Sequence, residues 1–326
     1  MNSSLYRELS AKELHNVIAN ALHDELHSYR LLTGGLFNTT YLADTAEHGR
    51  VVLRIGPVNR HLLMPFEHDL MKAEQRVYAL YKEHKIPASE ILMLDTSKTF
   101  IDRDYMIVRY IPSKPMSVVE LGLQDRKRIC FDIGTVVAKM HKITKFFFGR
   151  VADVENGKGF LCWSDCLLAE LKAWESAAMQ TPLFLAEEYE QIHCLFEQVI
   201  PFLKEIHTPC LVHADLWFGN ILIRNDSEHP EFAAIIDADR AIWADPDFEF
   251  SAIRWTHSEP AFWQGYGREL SVAAPDRIRR TFYALLGCLL DAYVFMREYN
   301  QPKNAYAMKA EAMIQMNELN TLLRSN

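Results

Sequence analysis

The sequence predicts an α+β fold of two unequal lobes, a small antiparallel β-sheet lobe followed by a larger helical one. Three observations carry this. Strand-like runs crowd into the first third of the chain, with one helix inserted among them. Most of the remainder shows apolar residues at three- and four-residue steps. Between the two regimes lies Ile111-Pro112-Ser113-Lys114-Pro115, whose prolines stop a strand and stiffen the crossing. The boundary is therefore expected at 112/113, giving lobes of residues 1–112 and 113–326.

In order, 11–22 has helical spacing through Leu14, Ile18 and Leu22. Residues 29–32 and 40–43 read as strands around a Gly34-Gly35 turn, and Val51 to Ile55 as a third strand. A helix is expected from about 68 to 85, with Leu70, Val77, Leu80 and Tyr81 on its apolar side and Pro87 beyond its end. Ile91 to Leu94 and Tyr105 to Tyr110 complete five strands. Asp125 to Ile143 is helical through Ile129, Ile133, Val136, Val137 and Met140. Further helices are expected at about 165–180, 187–207, 276–299 and 304–323. Two late β-type runs, 221–224 and 232–236, flank the turn-rich 225–230 and predict a hairpin.

The 326 residues are 49% hydrophobic and 24% charged, ordinary values for a soluble globular chain. No apolar run approaches the ~20 residues that span a membrane, so no membrane partner is expected. The N-terminus lacks the basic-then-apolar order of a secretory signal. Six scattered cysteines make no disulfide framework, and a reduced, cytoplasmic setting is the natural expectation. Forty-three acids against 35 bases give −8, which argues against a nucleic-acid surface. That balance suits a cationic small molecule, but equally an acidic enzyme kept soluble by its charge. Oligomeric state leaves no trace in the sequence.

The chemistry concentrates in His213-Ala214-Asp215-Leu216-Trp217-Phe218-Gly219-Asn220, followed after the hairpin by Ile235-Ile236-Asp237. An antiparallel hairpin puts the start of its first strand beside the end of its second, so Asn220 and Asp237 should meet. A positioned carboxylate, Asp215, and two oxygen ligands, Asn220 and Asp237, are what phosphoryl transfer to a hydroxyl asks of a protein.

These residues resemble the catalytic loop and metal-binding segment of the aminoglycoside phosphotransferase family, relatives of choline kinases and protein kinases. The family writes the loop His-Gly-Asp-x-x-x-x-Asn; Ala214 replaces its glycine. Asp245-Pro246-Asp247-Phe248-Glu249 resembles the Asp-Pro-x-x-Asp that follows, with Glu249 as the last acid. The resemblance runs from about Leu31 to Phe295 and implies the two-lobe protein-kinase-like fold, an ATP cofactor (with GTP as the alternative) and Mg²⁺. It implies Asp215 as the base, His213 as a brace of the loop, and Asn220 and Asp237 as metal ligands. Gly34, Gly35, Asn38 and Thr39 stand where a phosphate loop should be. Arg54 stands where most kinases have a third-strand Lys, with Glu74 as its helix partner and Glu67 as the fallback. The Arg109 carbonyl and the Ile111 amide are the implied adenine contacts.

For the acceptor, Trp217 and Phe218 offer a ring platform or pack the loop. Trp163 to Asp165, Glu170, Trp174, Trp255 to Glu259 and Trp263 interleave tryptophans with acids, in a manner suited to a polyamine sugar or to an ordinary amphipathic core. The C-terminus lacks the acidic or aromatic tail of some antibiotic kinases. The expected activity is phosphorylation of a small-molecule hydroxyl, with an aminoglycoside as the leading acceptor. A metabolic kinase of a sugar, fructosamine or amino alcohol is the first rival, because Asp215-Leu216-Trp217 also resembles fructosamine kinases. A nucleotide-binding scaffold fits poorly with an intact Asp215, Asn220 and Asp237. A protein-serine kinase is disfavoured, for no Ala-Pro-Glu motif follows Asp237.

Overall fold

The computed structural model describes residues 3–33, 35–178, 181, 183–225 and 229–325. It opens with helix α1 (Ala11–Leu22), started by a reciprocal capping box between Ser10 and Glu13. Strands β1 (Leu26–Leu32), β2 (Thr39–Thr45) and β3 (Gly49–Ile55) follow, then helix α2 (Leu70–Glu83), β4 (Ile91–Asp95) and β5 (Tyr105–Arg109). They form one antiparallel sheet in the order β1-β2-β3-β5-β4. Alternation along each strand assigns its two faces. Val51, Leu53 and Ile55 of β3 join Tyr105 and Ile107 of β5 under α1. The intervening Val52, Met106 and Val108 pack with Met71 of α2 on the other face. Arg54 follows this alternation onto the α2 side. That parity places a cation opposite α2.

The buried stripe of α2 reaches past the sheet. Val77, Tyr78 and Tyr81 share a core with Ile129, Leu211, Ile221 and Ile235, so this helix is packed on the elements that carry the chemistry. After the connector, β6 (Lys114–Pro115) leads to α3 (Leu123–Met140), β7 (Gly149–Arg150), α4 (Val151–Glu155), α5 (Trp163–Ala178) and α6 (Ala186–Leu203). Then come β8 (Cys210–Val212), β9 (Ile221–Arg224), β10 (Glu231–Ile235) and β11 (Ile242–Ala244). Helices α7 (Asp247–Ala252), α8 (Pro260–Tyr266), α9 (Ala274–Tyr293) and α10 (Pro302–Arg324) finish the chain, with a π-helical turn at Val294–Glu298 between the last two.

The expected five strands and long helices are all present. The short α4, α7 and α8 were not anticipated, since five to seven residues are too few to display a helical period. The connector also does more than cross: Lys114 and Pro115 pair with Ile223 and Leu222 at the edge of the late hairpin. An edge position tolerates a proline, which has no N–H to donate.

Two three-stranded sheets, β10-β9-β6 and β7-β11-β8, hold the chemistry in place. The chain leaves β8 and enters β9 through residues 213–220; it leaves β10 and enters β11 through residues 236–241. Because β8 pairs with β11 and β9 with β10, these two loops must lie side by side.

Candidate active site

The hairpin register sets Ile221 opposite Ile235, and the Ile236 amide donates to the Asn220 carbonyl at 2.9 Å. Asn220 and the Ile236-Asp237 segment are thereby brought together as the sequence expected. The loop from β8 is pinned from below by Glu249, which has no exposed surface. Its carboxylate accepts the His213 amide at 2.7 Å and the Ala214 amide at 3.2 Å. The family-like acidic position after Asp245-Pro246 therefore serves as an internal anchor. Asp245 and Asp247 extend that anchor to α9, by accepting from Arg279 Nε at 3.1 Å and Arg280 Nη1 at 2.7 Å.

His213 is fully buried. Its Nδ1 accepts the Asp215 amide at 3.3 Å, so Nε2 carries the proton and donates to the Ile236 carbonyl at 3.0 Å. The imidazole ties one loop to the other. Ala214 sits at φ +64°, the left-handed region that explains a glycine in the family pattern. Asp237 is likewise left-handed at φ +62°, and its amide donates to the Tyr78 hydroxyl of α2 at 3.2 Å.

Asn220 donates from Nδ2 to the Asp215 carbonyl at 2.7 Å and to Asp215 Oδ2 at 3.0 Å. Both partners are acceptors, which fixes the amide orientation and makes Oδ1 the atom suited to a metal. Asp215 is half-buried, and its carboxyl is pushed up to about 7. Burial is the main cause; the Arg240 guanidinium opposes it, and Asp237 and Asp291 add to it. A carboxyl of that kind can accept a proton near neutrality, where an ordinary aspartate is a weak base.

Arg54 is bound by Glu74 through Nη1 and by Asp237 through Nη2, with Asp239 Oδ2 3.7 Å from Nη2. Glu74, and not Glu67, is thus its helix partner. Glu67 is taken by Arg240, whose Nη2 donates to it at 2.8 Å. Burial, with Asp237 second, holds the Asp239 carboxyl well above its usual range. Burial also raises that of Glu74, against the pull of Arg54. Carboxylate oxygens of Glu74, Asp237 and Asp239 lie within 4.8 Å of one another, and hard oxygen donors of this kind, with the Asn220 Oδ1 on the adjoining loop, fit an ion such as Mg²⁺.

The remaining expectations divide. Gly34 lies outside the described residues. Gly35 is exposed on the β1–β2 loop, and Asn38 beside it keeps its Oδ1 buried without a hydrogen-bond partner. Ser3 Oγ donates to the Leu36 carbonyl at 2.8 Å and so holds this loop from the N-terminal segment. Thr39 does not join it: the side chain is buried, and its hydroxyl donates to the Arg7 carbonyl at 3.1 Å. At the connector, the Arg109 amide donates to the Glu90 carbonyl at 2.8 Å, and the Ile111 carbonyl accepts Ser113 Oγ at 2.8 Å. The groups expected to meet a base, the Arg109 carbonyl and the Ile111 amide, are the other two of those peptides.

Most of the interleaved tryptophans pack inward, while Asp165 stays exposed and Trp255 and Glu259 are half-buried. Trp163 and Trp174 are core residues of the helical half, and Trp263 belongs to the core under the catalytic loop. Glu170 pairs with Arg150 at 2.8 Å and Glu259 with Arg126. Phe218 packs on Trp255 with centroids 4.8 Å apart. Trp217 alone stands out, at 52% exposed, with its indole folded over Gly219, where an added Cβ would lie 2.2 Å from the ring. Asp291 is the neighbour whose role sequence reasoning missed; Asp239 and Arg240 follow Asp237 in the metal-binding segment, where they could assist metal or phosphate or tie the loop to the lower lobe. Glu249 carried its own signal as the last acid after Asp245-Pro246.

The fold is that of the two-lobe protein-kinase class. The sequence matches the phosphotransferase enzyme family over residues 28–281, and the chain belongs to that family. It is a phosphotransferase enzyme of the kinase type. Among solved structures, it resembles the GDP complex of aminoglycoside 2'-phosphotransferase-IIIa at TM-score 0.67 and 14% identity, covering 95% of this chain and 100% of that one. It resembles the gentamicin complex of APH(2")-IIa at TM-score 0.66 and 16% identity, with coverages of 94% and 97%. A Thermobifida fusca protein provisionally named a fructosamine-3-kinase matches at 0.64 and 14%, with coverages of 92% and 100%. At such identities these likenesses concern the fold. No curated protein matches.

The raised carboxyl of Asp215 has a consequence for stability. Its folded value, about 7, exceeds the ordinary 3.8. The proton it holds favours the folded state at low pH, and that advantage is lost as pH rises through the interval between the two values. Asp215→Asn cannot ionise, so its Tm should exceed wild type by about 2–4 °C at pH 8. The gap should shrink by pH 5, as followed by thermal melting. Equal melting temperatures at both pH values would contradict the burial of this charge.

Proposed function

We propose that the chain is a nucleotide- and Mg²⁺-dependent O-phosphotransferase acting on a hydroxyl of a small molecule, with an aminoglycoside or related antibiotic as the leading acceptor. The observation that carries this reading is the convergence of Asp215, Asn220 and Asp237 on two adjoining loops, faced by the Arg54–Glu74 pair. ATP is the nucleotide of this reading, with GTP as the alternative. The lobes divide at 112/113. A cytoplasmic setting is part of this reading.

In this reading Asp215 orients the acceptor hydroxyl and takes its proton as the acceptor oxygen bonds the terminal phosphorus and the phosphoanhydride bond breaks, releasing the nucleoside diphosphate. Asn220 fixes that carboxylate through Nδ2, and His213 and Glu249 hold the loop that presents both. Arg54, kept in place by Glu74, faces the phosphates. Asp237 and Asn220 would hold the metal, which would supply positive charge to offset that of the phosphates. Trp217 offers its exposed indole as a platform for an acceptor ring. The fructosamine or other metabolic acceptor remains the second reading, favoured by the same Asp215-Leu216-Trp217 run.

ADP release from purified protein, screened against aminoglycosides, sugars, fructosamines and amino alcohols, tests both readings. Aminoglycoside turnover supports the first. Efficient use of a neutral sugar with no aminoglycoside turnover would overturn it. Asp215→Ala should keep nucleotide binding and lose turnover, and kcat/KM for the acceptor should show an acid limb displaced above the ordinary carboxylate range, toward 7. A profile flat from about pH 5 to 8 would remove Asp215 as the base.

Arg54→Ala should raise the KM for nucleotide and lower kcat, with Arg54→Lys intermediate, because Lys keeps the charge without the fork that spans Glu74 and Asp237. Unchanged parameters in Arg54→Ala would make the residue purely structural. Trp217→Ala should raise the acceptor KM about 2- to 10-fold and leave that of the nucleotide alone. Equal effects on both substrates would assign Trp217 to loop packing.

A further inference from the structure

The π-helical turn between α9 and α10 buries an acid that the transfer chemistry does not touch. Glu298 has no exposed surface, and neither oxygen of its carboxyl receives a hydrogen bond. The turn lies beyond the family match, which ends at residue 281. Insertions of this helical type are frequent at functional sites. Glu298 faces Glu67 of the 3₁₀ turn at Pro65–Asp69, itself buried. Glu67 is already committed: its Oε2 accepts the Met64 amide at 3.0 Å, and its Oε1 accepts Nη2 of Arg240 at 2.8 Å. Arg240 is the cation of this cluster, and Asp291 of α9 and Asp215 face it as well. Burial keeps the neighbouring Tyr299 hydroxyl neutral, and Arg297 of the same turn reaches the His61 carbonyl at 3.4 Å. One guanidinium cannot balance a second buried carboxylate beside Glu67, so Glu298 is left to carry a proton. Burial and the charge of Glu67 accordingly push its carboxyl up to about 10. A protonated carboxyl gains one donor, and the remaining lone pairs of Glu67 are the acceptors at hand.

We propose that Glu298 is a positioning residue of the nucleotide site: a neutral carboxylic acid that donates its proton to Glu67. It thereby fixes Glu67 against Arg240, and the loop after β10 against the segment before α2. Ionised, Glu298 would repel Glu67 and compete for Arg240; neutral, it adds a bond and no charge. Its main chain reaches the same site from the other side. The Glu298 carbonyl accepts the Ser4 amide at 2.9 Å, next to Ser3, whose Oγ holds the Leu36 carbonyl of the β1–β2 loop. One residue thus braces both loops between which a nucleotide would lie. The inference rests on the reading of those loops as the nucleotide side of a phosphotransferase.

Two measurements test it. Infrared difference spectra of wild type against Glu298→Gln should show the C=O stretch of a protonated carboxyl at pH 7, still present at pH 8. Absence of that band would overturn the proton on Glu298. Calorimetric titration with a non-hydrolysable ATP analogue in Mg²⁺ reads the positioning. Glu298→Met keeps the reach of the side chain but has no donor, and should weaken binding at least about threefold. Glu298→Gln, whose amide can donate to Glu67, should restore it. Binding by Glu298→Met as tight as wild type would overturn the positioning role, and so would Glu298→Gln binding as weakly as Glu298→Met. If circular dichroism shows Glu298→Met unfolded, Glu67→Gln carries the comparison: weaker binding is expected, and unchanged binding contradicts the proposal. Wild-type protein that binds no nucleotide would remove the phosphotransferase reading and the positioning role with it. Nucleotide bound equally by wild type and Glu298→Met would remove this inference alone.

Discussion

The ion pairs of Arg54 are the interaction on which the rest of the structure depends. One guanidinium links β3, helix α2 and the loop after β10 by bonding Glu74 and Asp237 together. β3 and α2 follow one another along the chain, but Asp237 lies 183 residues beyond Arg54. Pairing a buried charge is obligatory, since breaking one partner of such a set typically costs about 3–5 kcal/mol. The position of α2 is therefore fixed twice, by its apolar stripe against Leu211, Ile221 and Ile235 and by Glu74 against Arg54. The same arrangement sets where phosphate charge can be received.

Beneath this, topology supplies the precision. Two loops spanning the same pair of small sheets have little freedom to separate, and the His213 imidazole and the Glu249 carboxylate remove what is left. Left-handed Ala214 and Asp237 belong to this design, because each turns the chain where the pairing demands it. Backbone conformations of this cost persist where the surroundings overdetermine them, as here. Asp215 is then set by partners on every side, and its proton affinity follows from burial and from the opposed charges of Arg240, Asp237 and Asp291.

Much of this was legible in the residues. The catalytic loop, its hairpin and the meeting of Asn220 with Asp237 followed from spacing alone, because hairpin geometry is local. Arg54 and Glu74 were legible as a pair, but helix register left Glu67 open; the competing claim of Arg240 on Glu67 decides it, and that is a tertiary fact. The Thr39 hydroxyl shows a similar limit: its place in a loop sequence says nothing of the Arg7 carbonyl that captures it. The tryptophan-acid segments were misleading in a general way. Composition cannot distinguish a cation-binding surface from core indoles flanked by acids already paired with Arg126 and Arg150, since the difference lies in partners distant in sequence. Asp291 left no signal at all, being one acid on an amphipathic helix.

The most direct test of the account is where a metal sits relative to these loops. A crystal structure with Mn²⁺ and a non-hydrolysable ATP analogue, with the ion located by its anomalous scattering, would show it. The account predicts an ion in direct contact with Asp237 and Asn220 oxygens at about 2.0–2.3 Å, with Arg54 turned to the phosphates while still held by Glu74. An ion lodged away from Asp237 and Asn220, or a nucleotide whose phosphates lie remote from Arg54 and Asp215, would contradict it.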